Sequence, residues 1–330
     1  MTVPSQEGSV DLKRNPGGSR PRVLIAAELE SLLPEDPLPG YEPVWISTRE
    51  PTPIGDYVAV IPLLSRRMGE EELAGLPDLE VLAQCAVGYD NIDLAAAARR
   101  GIPVTNTPDV LTDSTADLTW ALILAVARRM KEGQDMLAQG AWEGWRPTQL
   151  LGMELNGSVL GIIGAGRIGQ AVGRRGVGFG MRILYTDSEP RPAFERATEA
   201  GRVDLSHLLA ESDVVTVHLP STPDTRGLFG AEVFSLMKPG ALFINTARGD
   251  LVDEGALLTA LDQGVVGGAG LDVFSHEPEV PPELVFHPRV VALPHIGSAT
   301  TKTRRAMAEL AVRNALAVLD GREPLNPVTG

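Results

Sequence analysis

The sequence predicts an α/β protein built from two parallel-sheet domains, and three observations lead there. Short apolar runs of strand length alternate with helical segments along most of the chain, the pattern of a parallel sheet with both faces covered. Five such runs precede Asn106 and at least six follow Leu155, and 330 residues at roughly 100–200 per domain suggest two domains. A glycine-rich turn at Gly164 joins the first strand of the second series to a helix, the arrangement of a doubly wound nucleotide-binding sheet.

The elements follow in order. Residues 1–20 are polar and rich in Gly, Ser and Pro, and are expected to be a flexible tail. Strands are expected at Val23–Ala27, Val44–Ile46, Tyr57–Ile61, Leu79–Gln84 and Pro103–Thr105, with an Ala-rich helix Leu94–Arg100 closed by Gly101. Asp113-Ser114-Thr115 opens a long helix whose apolar positions run to about Met130. A loop around Gly140–Pro147 carries Trp142 and Trp145. The second strand series is Val159–Ile163, Arg182–Tyr185, Val214–Val217, Ala241–Asn245, Gly268–Val273 and Val290–Ala292. Helices are expected at Arg167–Phe179, Ala231–Met237 and Glu254–Gln263, with a final amphipathic one at Ala299–Asp320.

Composition narrows the function. The formal charge is −14 and the pI about 4.9, so phosphate backbones and anionic lipid are repelled; neither nucleic acid nor a membrane is an expected partner. The longest apolar stretch, near Leu118–Ala127, is too short to span a bilayer. The start of the chain shows no basic-then-apolar leader, and a cytoplasmic location is expected. The single cysteine, Cys85, excludes an intrachain disulfide and a Cys-rich metal site; it reads as a strand-end core residue.

Gly164-Ala165-Gly166-Arg167-Ile168-Gly169 is a G-x-G-x-x-G motif directly after an apolar strand. Gly164 permits the tight turn, Gly166 lets a pyrophosphate approach the backbone, and Gly169 allows close helix–strand packing; the helix start then offers free N–H groups and a partial positive charge. Asp187 ends the next strand, 21 positions after Gly166, where a carboxylate can accept from the adenosine ribose hydroxyls. That carboxylate repels a 2′-phosphate, so NAD is expected in preference to NADP. Arg191, four residues on, would soften that preference, although it reads equally well as a solvated loop residue.

Three later segments end strands and carry reactive groups. Asn245-Thr246-Ala247-Arg248-Gly249-Asp250 offers a guanidinium able to grip a carboxylate in bidentate fashion, though taken alone Arg248 would more simply pair with Asp250. Gly270-Leu271-Asp272-Val273-Phe274-Ser275-His276-Glu277-Pro278 offers Glu277. Pro294-His295-Ile296-Gly297-Ser298 offers His295, suited to proton transfer because an imidazole titrates near neutrality and a nearby Glu favours its charged form. Of the other histidines, His207 lies in a helical stretch, His276 and His287 in Pro-flanked loops, and His218 at the end of Val214–Val217, where it would line a cofactor cleft. No histidine pair has metal-ligand spacing, and no metal is predicted.

Together with Val87-Gly88-Tyr89-Asp90-Asn91-Ile92-Asp93 and Asn106-Thr107-Pro108-Asp109-Val110-Leu111-Thr112-Asp113, these segments resemble the D-isomer-specific 2-hydroxyacid dehydrogenases, and more narrowly their glyoxylate/hydroxypyruvate reductase branch, over about residues 21–325. The resemblance implies a Rossmann-type NAD-binding domain, residues 106–296, inserted into a discontinuous flavodoxin-like substrate domain, residues 21–105 and 297–330. It makes His295 the acid/base, Glu277 its orienting carboxylate, and Arg248 the binder of substrate carboxylate and carbonyl. Val87, Gly88, Ser298 and Trp145 would also meet the small 2-oxo or 2-hydroxy acid. Thr112, Gly164, Gly166, Arg167, Ile168, Gly169, Asp187, Pro220, Thr225, Ala247, Arg248, Asp272, His295 and Gly297 would line the NAD site, with Asp272 on the nicotinamide carboxamide. A homodimer built on the helix from Thr112 and the Gly140–Trp145 loop is implied as well, with Trp145 closing the partner's site. The same triad serves relatives acting on phosphoglycerate, D-lactate or phosphite, and it survives in corepressors that use NAD to stabilise a dimer, so these alternatives stay open.

Overall fold

The structure is a computed structural model and describes residues 19–328, so the expectation for the segment 1–20 falls almost wholly outside it. The chain divides into two compact units. Among the described residues, one holds those before Leu111 together with those from Thr300 onward, and the other spans Leu111–Ala299.

The first unit contains β1 (Arg22–Ala26), β2 (Glu42–Ile46), β3 (Tyr57–Ile61), β4 (Val81–Ala83) and β5 (Val104–Thr105). They form one parallel sheet in the order β2-β1-β3-β4-β5. Val23, Leu24, Ile25, Ala59 and Ile61 are fully buried, as an apolar run between covering helices requires. The helix Thr301–Leu319 packs on β3 and β4, with Thr300 accepting from the Thr303 amide at 3.1 Å as its cap. Cys85 follows β4 and is buried; burial pushes its thiol up to about 12, which leaves no thiolate near neutrality.

The second unit contains β6 (Val159–Ile163), β7 (Arg182–Thr186), β8 (Gly201–Arg202), β9 (Val214–Val217), β10 (Ala241–Asn245), β11 (Val266–Leu271) and β12 (Val290–Ala292). All are parallel, in the order β12-β11-β10-β9-β6-β7-β8. The winding direction reverses between β6 and β9, and ligands of such sheets bind beyond the carboxyl ends of the strands at that reversal. The helix Thr112–Ala127 packs on β10 and β11. It anchors the sheet's other neighbours through Trp120, whose ring stacks on Phe179 at 4.3 Å and whose Nε1–H donates to the Val172 carbonyl at 3.0 Å.

Several expected limits are corrected. The helix opened near Asp113 does not run to Met130. It ends at Ala127, Arg129 turns left-handed with φ 51°, and a second helix covers Met130–Ala138. The Ala127 carbonyl accepts from the Met153 amide at 2.8 Å, so the returning chain takes the place of the next helical turn, and Arg129 restarts the helix by gripping Glu132 with two bonds of 2.6 and 2.7 Å. The strand expected at Gly268–Val273 lies two residues earlier. The compact units divide at Leu111 and Thr300. Asn106 is held in the first unit by the Asn326 carbonyl and the Asn314 side chain, whereas Gly297 is held in the second by Asp272. Among the described residues no helix is long and apolar enough to cross a membrane.

Candidate active site

The reactive groups of the second unit follow from its topology. Gly164 comes directly after β6, Asp187 after β7, His218 after β9, Arg248 after β10, Asp272 and Glu277 after β11, and His295 after β12. A parallel sheet places the carboxyl ends of all its strands on one edge, so residues up to 131 positions apart in sequence reach one side of one sheet.

The glycine turn meets the requirements of a phosphate cradle. Gly164 has φ 92°, and a Cβ there would lie 2.7 Å from the His218 carbonyl oxygen, so only glycine fits between β6 and β9. Gly166 caps the helix Arg167–Gly178, and a Cβ built on it meets nothing within 4 Å. The space beside the first helical N–H groups is therefore open to a ligand. Arg167 and Ile168 open that helix, and Gly169 is buried against the Gly164 carbonyl. At the end of β7, Oδ1 of Asp187 accepts from Arg191 Nη2 at 3.0 Å and from the Glu189 amide at 3.3 Å. Burial alone would raise the pKa of Asp187, but the Glu189 amide and the Arg191 guanidinium outweigh it and hold the carboxyl below its usual range. Arg191 is thus a partner of Asp187 rather than a solvated loop residue. The residues present suit a dinucleotide.

His295 and Glu277 form a pair, with Nδ1 and Oε2 2.8 Å apart. The Nδ1–H donates to the carboxylate, leaving Nε2 as the nitrogen able to exchange a proton with a ligand. The second oxygen of Glu277 accepts from the Phe274 amide at 3.0 Å. Burial pushes the Glu277 carboxyl up, yet the His295 hydrogen bond and charge, the Phe274 amide and the charge of Arg248 together bring it below the usual range. Glu277 is therefore ionised at neutral pH, and Arg248 is close enough to act on it. The Arg248 backbone is braced by Asn245, which accepts from the Ala247 amide at 3.0 Å and donates to the Arg248 carbonyl at 2.8 Å.

Asp272 does work the sequence did not disclose. Its side chain is only 1% exposed, and its two oxygens accept from the Ile296 and Gly297 amides, each at 2.8 Å. The turn they hold puts His295 at φ 52°, a left-handed conformation costing about 1 kcal/mol or more for a branched-chain-free residue outside glycine. Burial raises the Asp272 carboxyl above its ordinary value, against the pull of those two amides and of His295. Each oxygen keeps a lone pair for a further donor.

The remaining expected residues are placed as follows. Thr112 opens the helix Thr112–Ala127, and Ala247 precedes Arg248. Thr225 accepts from the Thr222 amide at 2.8 Å and donates to the Pro220 carbonyl at 2.7 Å, so its hydroxyl closes that loop. Ser298 follows Gly297 in the turn before the last helix. Trp145 is 82% exposed in an irregular loop. His218 is half-buried against Thr216 Oγ1 at 3.0 Å, and burial lowers it to about 3, so it is neutral at physiological pH. Val87 and Gly88 belong to the first unit, where Asn106 donates to the Val87 carbonyl at 2.8 Å and Gln84 to the Gly88 carbonyl at 3.2 Å. No group of three or more His, Cys, Asp or Glu among the described residues is arranged to hold a metal ion.

A glycine turn open at a helix start and a hydrogen-bonded His–Glu pair on one sheet edge fit a class, the nucleotide-dependent oxidoreductases. The family model for the D-isomer specific 2-hydroxyacid dehydrogenase NAD binding domain matches residues 120–297. A glyoxylate reductase of Thermococcus litoralis is 48% identical over 274 residues, covering 82% of this chain and 83% of that one. An NADPH-dependent glyoxylate/hydroxypyruvate reductase of Sinorhizobium meliloti, solved with NADP and malonate, superposes with a TM-score of 0.84 at 37% identity over 94% of this chain and 97% of that one. A D-lactate dehydrogenase of Aquifex aeolicus, solved with NAD and lactic acid, does so with a TM-score of 0.84 at 30% identity over 93% and 99%. The chain belongs to the D-isomer specific 2-hydroxyacid dehydrogenase family.

Proposed function

We propose that the chain reduces glyoxylate and hydroxypyruvate to glycolate and D-glycerate with NADH. The observation that carries this reading is the 2.8 Å His295–Glu277 pair, with Arg248 beside it, on the sheet edge that holds the Gly164–Gly169 cradle. The names of the Thermococcus and Sinorhizobium relatives support the choice of substrate.

When bound, the reduced nicotinamide supplies the hydride. The chain supplies the rest. The helix start at Gly166 and the Asp187 carboxylate hold and orient the dinucleotide. Arg248 grips the substrate carboxylate and offers a cation to the oxyanion that develops on the keto oxygen. His295 gives its Nε2 proton to that oxygen, and Glu277 keeps the ring oriented and favours its charged form. Asp272 keeps His295 in its turn and can take a further donor from the carboxamide. Val87 and Gly88 are assigned to the substrate carboxylate, and Ser298 to the substrate pocket, on the strength of the motif resemblance.

The experiment is a spectrophotometric assay of NADH consumption. Rapid turnover with glyoxylate and hydroxypyruvate is expected; faster turnover with pyruvate would favour the reading that the Aquifex relative suggests. Binding without turnover on any 2-oxo acid would favour the NAD-sensing alternative.

Cofactor choice has its own test. Asp187→Ser removes a charge that faces a 2′-phosphate and leaves Arg191 and Arg202 at the same strand end. The ratio of kcat/KM for NADPH to that for NADH should rise about tenfold or more, the size of one screened charge–charge contact. An unchanged ratio would remove Asp187 from cofactor selection.

We propose further that the protein is a homodimer. Met130, Leu137, Trp142, Trp145 and Leu151 are exposed apolar side chains gathered along the segment 130–151. Sedimentation should give twice the 35.1 kDa chain mass, and Trp142 or Trp145 replaced by Ser should shift it toward the monomer.

A further inference from the structure

The three groups of the site arrive on separate segments, and something must hold those segments in register. The ladder between β10 and β11 ends at Asn245 opposite Leu271. Beyond it no ladder joins the Arg248 turn to the Glu277 loop, and the bridge between His276 and Glu279 lies within that loop. There the Ser275 hydroxyl donates to the Gly249 carbonyl at 3.2 Å and lies 3.4 Å from the Val252 carbonyl. The Ser275 amide donates to Oε1 of Glu254 at 2.9 Å, while the neighbouring Phe274 amide donates to Glu277 at 3.0 Å. Gly249 packs directly on the Phe274 backbone, with no room for a Cβ. Glu254 itself opens the helix Glu254–Asp262, whose start is fixed by Asp253 accepting from the Ala256 amide at 3.0 Å.

We propose that Glu254 and Ser275 form a positioning clamp that sets the separation between the Arg248 guanidinium and the His295–Glu277 pair. Two carboxylates take two consecutive amides: Glu277 faces the imidazole, and Glu254 ties the same stretch of backbone to a capped helix. The Ser275 hydroxyl then closes the gap to the turn carrying Arg248. Neither residue touches the reacting atoms; they act through Arg248 and Glu277. A displacement of about 1 Å in such groups costs up to 10²-fold in rate. The inference rests on the assignment of Arg248 to the substrate carboxylate under the proposed function.

The test compares Glu254→Ala, Glu254→Gln, Ser275→Ala and Arg248→Ala, with steady-state kinetics on glyoxylate at saturating NADH and NADH binding by fluorescence. Glu254→Ala should raise the glyoxylate KM about tenfold, the weight of one charge-assisted hydrogen bond, with NADH affinity kept within about twofold. Ser275→Ala should raise it about threefold, since its bonds are long. Glu254→Gln keeps an oxygen that accepts from the Ser275 amide and should restore KM to within about threefold of the parent. The clamp is overturned if KM does not move in Glu254→Ala and Ser275→Ala, if the Gln variant is as impaired as the Ala variant, or if NADH affinity falls in step with KM. Should Glu254→Ala fail to fold, Ser275→Ala decides: a rise in KM of about threefold with NADH affinity kept supports the clamp, and an unmoved KM overturns it. If Arg248→Ala leaves KM unchanged, the assignment of Arg248 fails and the clamp with it; if Arg248→Ala raises KM and the clamp variants do not, the clamp alone fails.

Discussion

His295→Ala should lower kcat about 10²–10⁴-fold and leave NADH binding within about twofold of the parent. The size follows from the step removed. Hydride addition to a keto carbon leaves charge on the oxygen unless a proton arrives, and the proposed function assigns that proton to His295. Its Nδ1 is committed to Glu277, so the proton comes from Nε2. Under the proposed function the phosphates and adenosine ribose of the dinucleotide lie at Gly166 and Asp187, away from His295, so most of its affinity should survive. Glu277→Gln should fall between parent and His295→Ala: the amide can still accept from Nδ1–H, but the negative charge that favours imidazolium is gone. Steady-state kinetics and fluorescence titration check both; a His295→Ala enzyme with near-parent turnover would exclude His295 as the acid.

Arg248→Ala should reduce kcat/KM for glyoxylate by about 10²–10³-fold, with part of the loss in KM. The proposed function gives this residue two tasks, grip on a carboxylate and a cation beside the developing oxyanion, so both binding and rate should suffer. Arg248→Lys should recover only part, because an ammonium cannot reproduce the bidentate fork. Thermal stability should change little, since the two Asn245 bonds that brace the local backbone stay in place when the guanidinium and its 2.6 Å bond to the Ala247 carbonyl are removed. A large loss of Tm in Arg248→Ala would instead mark the residue as structural.

Much of this was legible in the chain itself, for identifiable reasons. β3, β6, β9, β10 and β12 have the limits that their apolar runs suggest, because strands covered on both faces leave no polar alternation to blur their ends. β8 is a two-residue edge pairing with no apolar run behind it, and it was invisible. The break at Arg129 was hidden because the apolar pattern continues through it; a backbone bond from Met153, far along the sequence, ends the helix. In the site, Asp187, Arg248, Glu277 and His295 stood out because each joins a reactive side chain to a strand end. The resemblance put Asp272 at the nicotinamide, but its hold on the Ile296–Gly297 turn and the contacts of Glu254 and Ser275 were not legible, since their partners are main-chain amides and carbonyls, which carry no residue-type signature. The Asp187–Arg191 pair was half visible: the spacing was there, but not which way the arginine would turn.

The proposed reduction requires His295 and Arg248 to meet the same small ligand. A crystal structure of the chain with NAD and oxalate, an unreactive mimic of a 2-oxo acid, tests that directly. A ligand oxygen is expected within about 2.6–3.2 Å of His295 Nε2, with Arg248 donating two hydrogen bonds to the ligand carboxylate. Oxalate bound away from both side chains, with NAD in place, would contradict it.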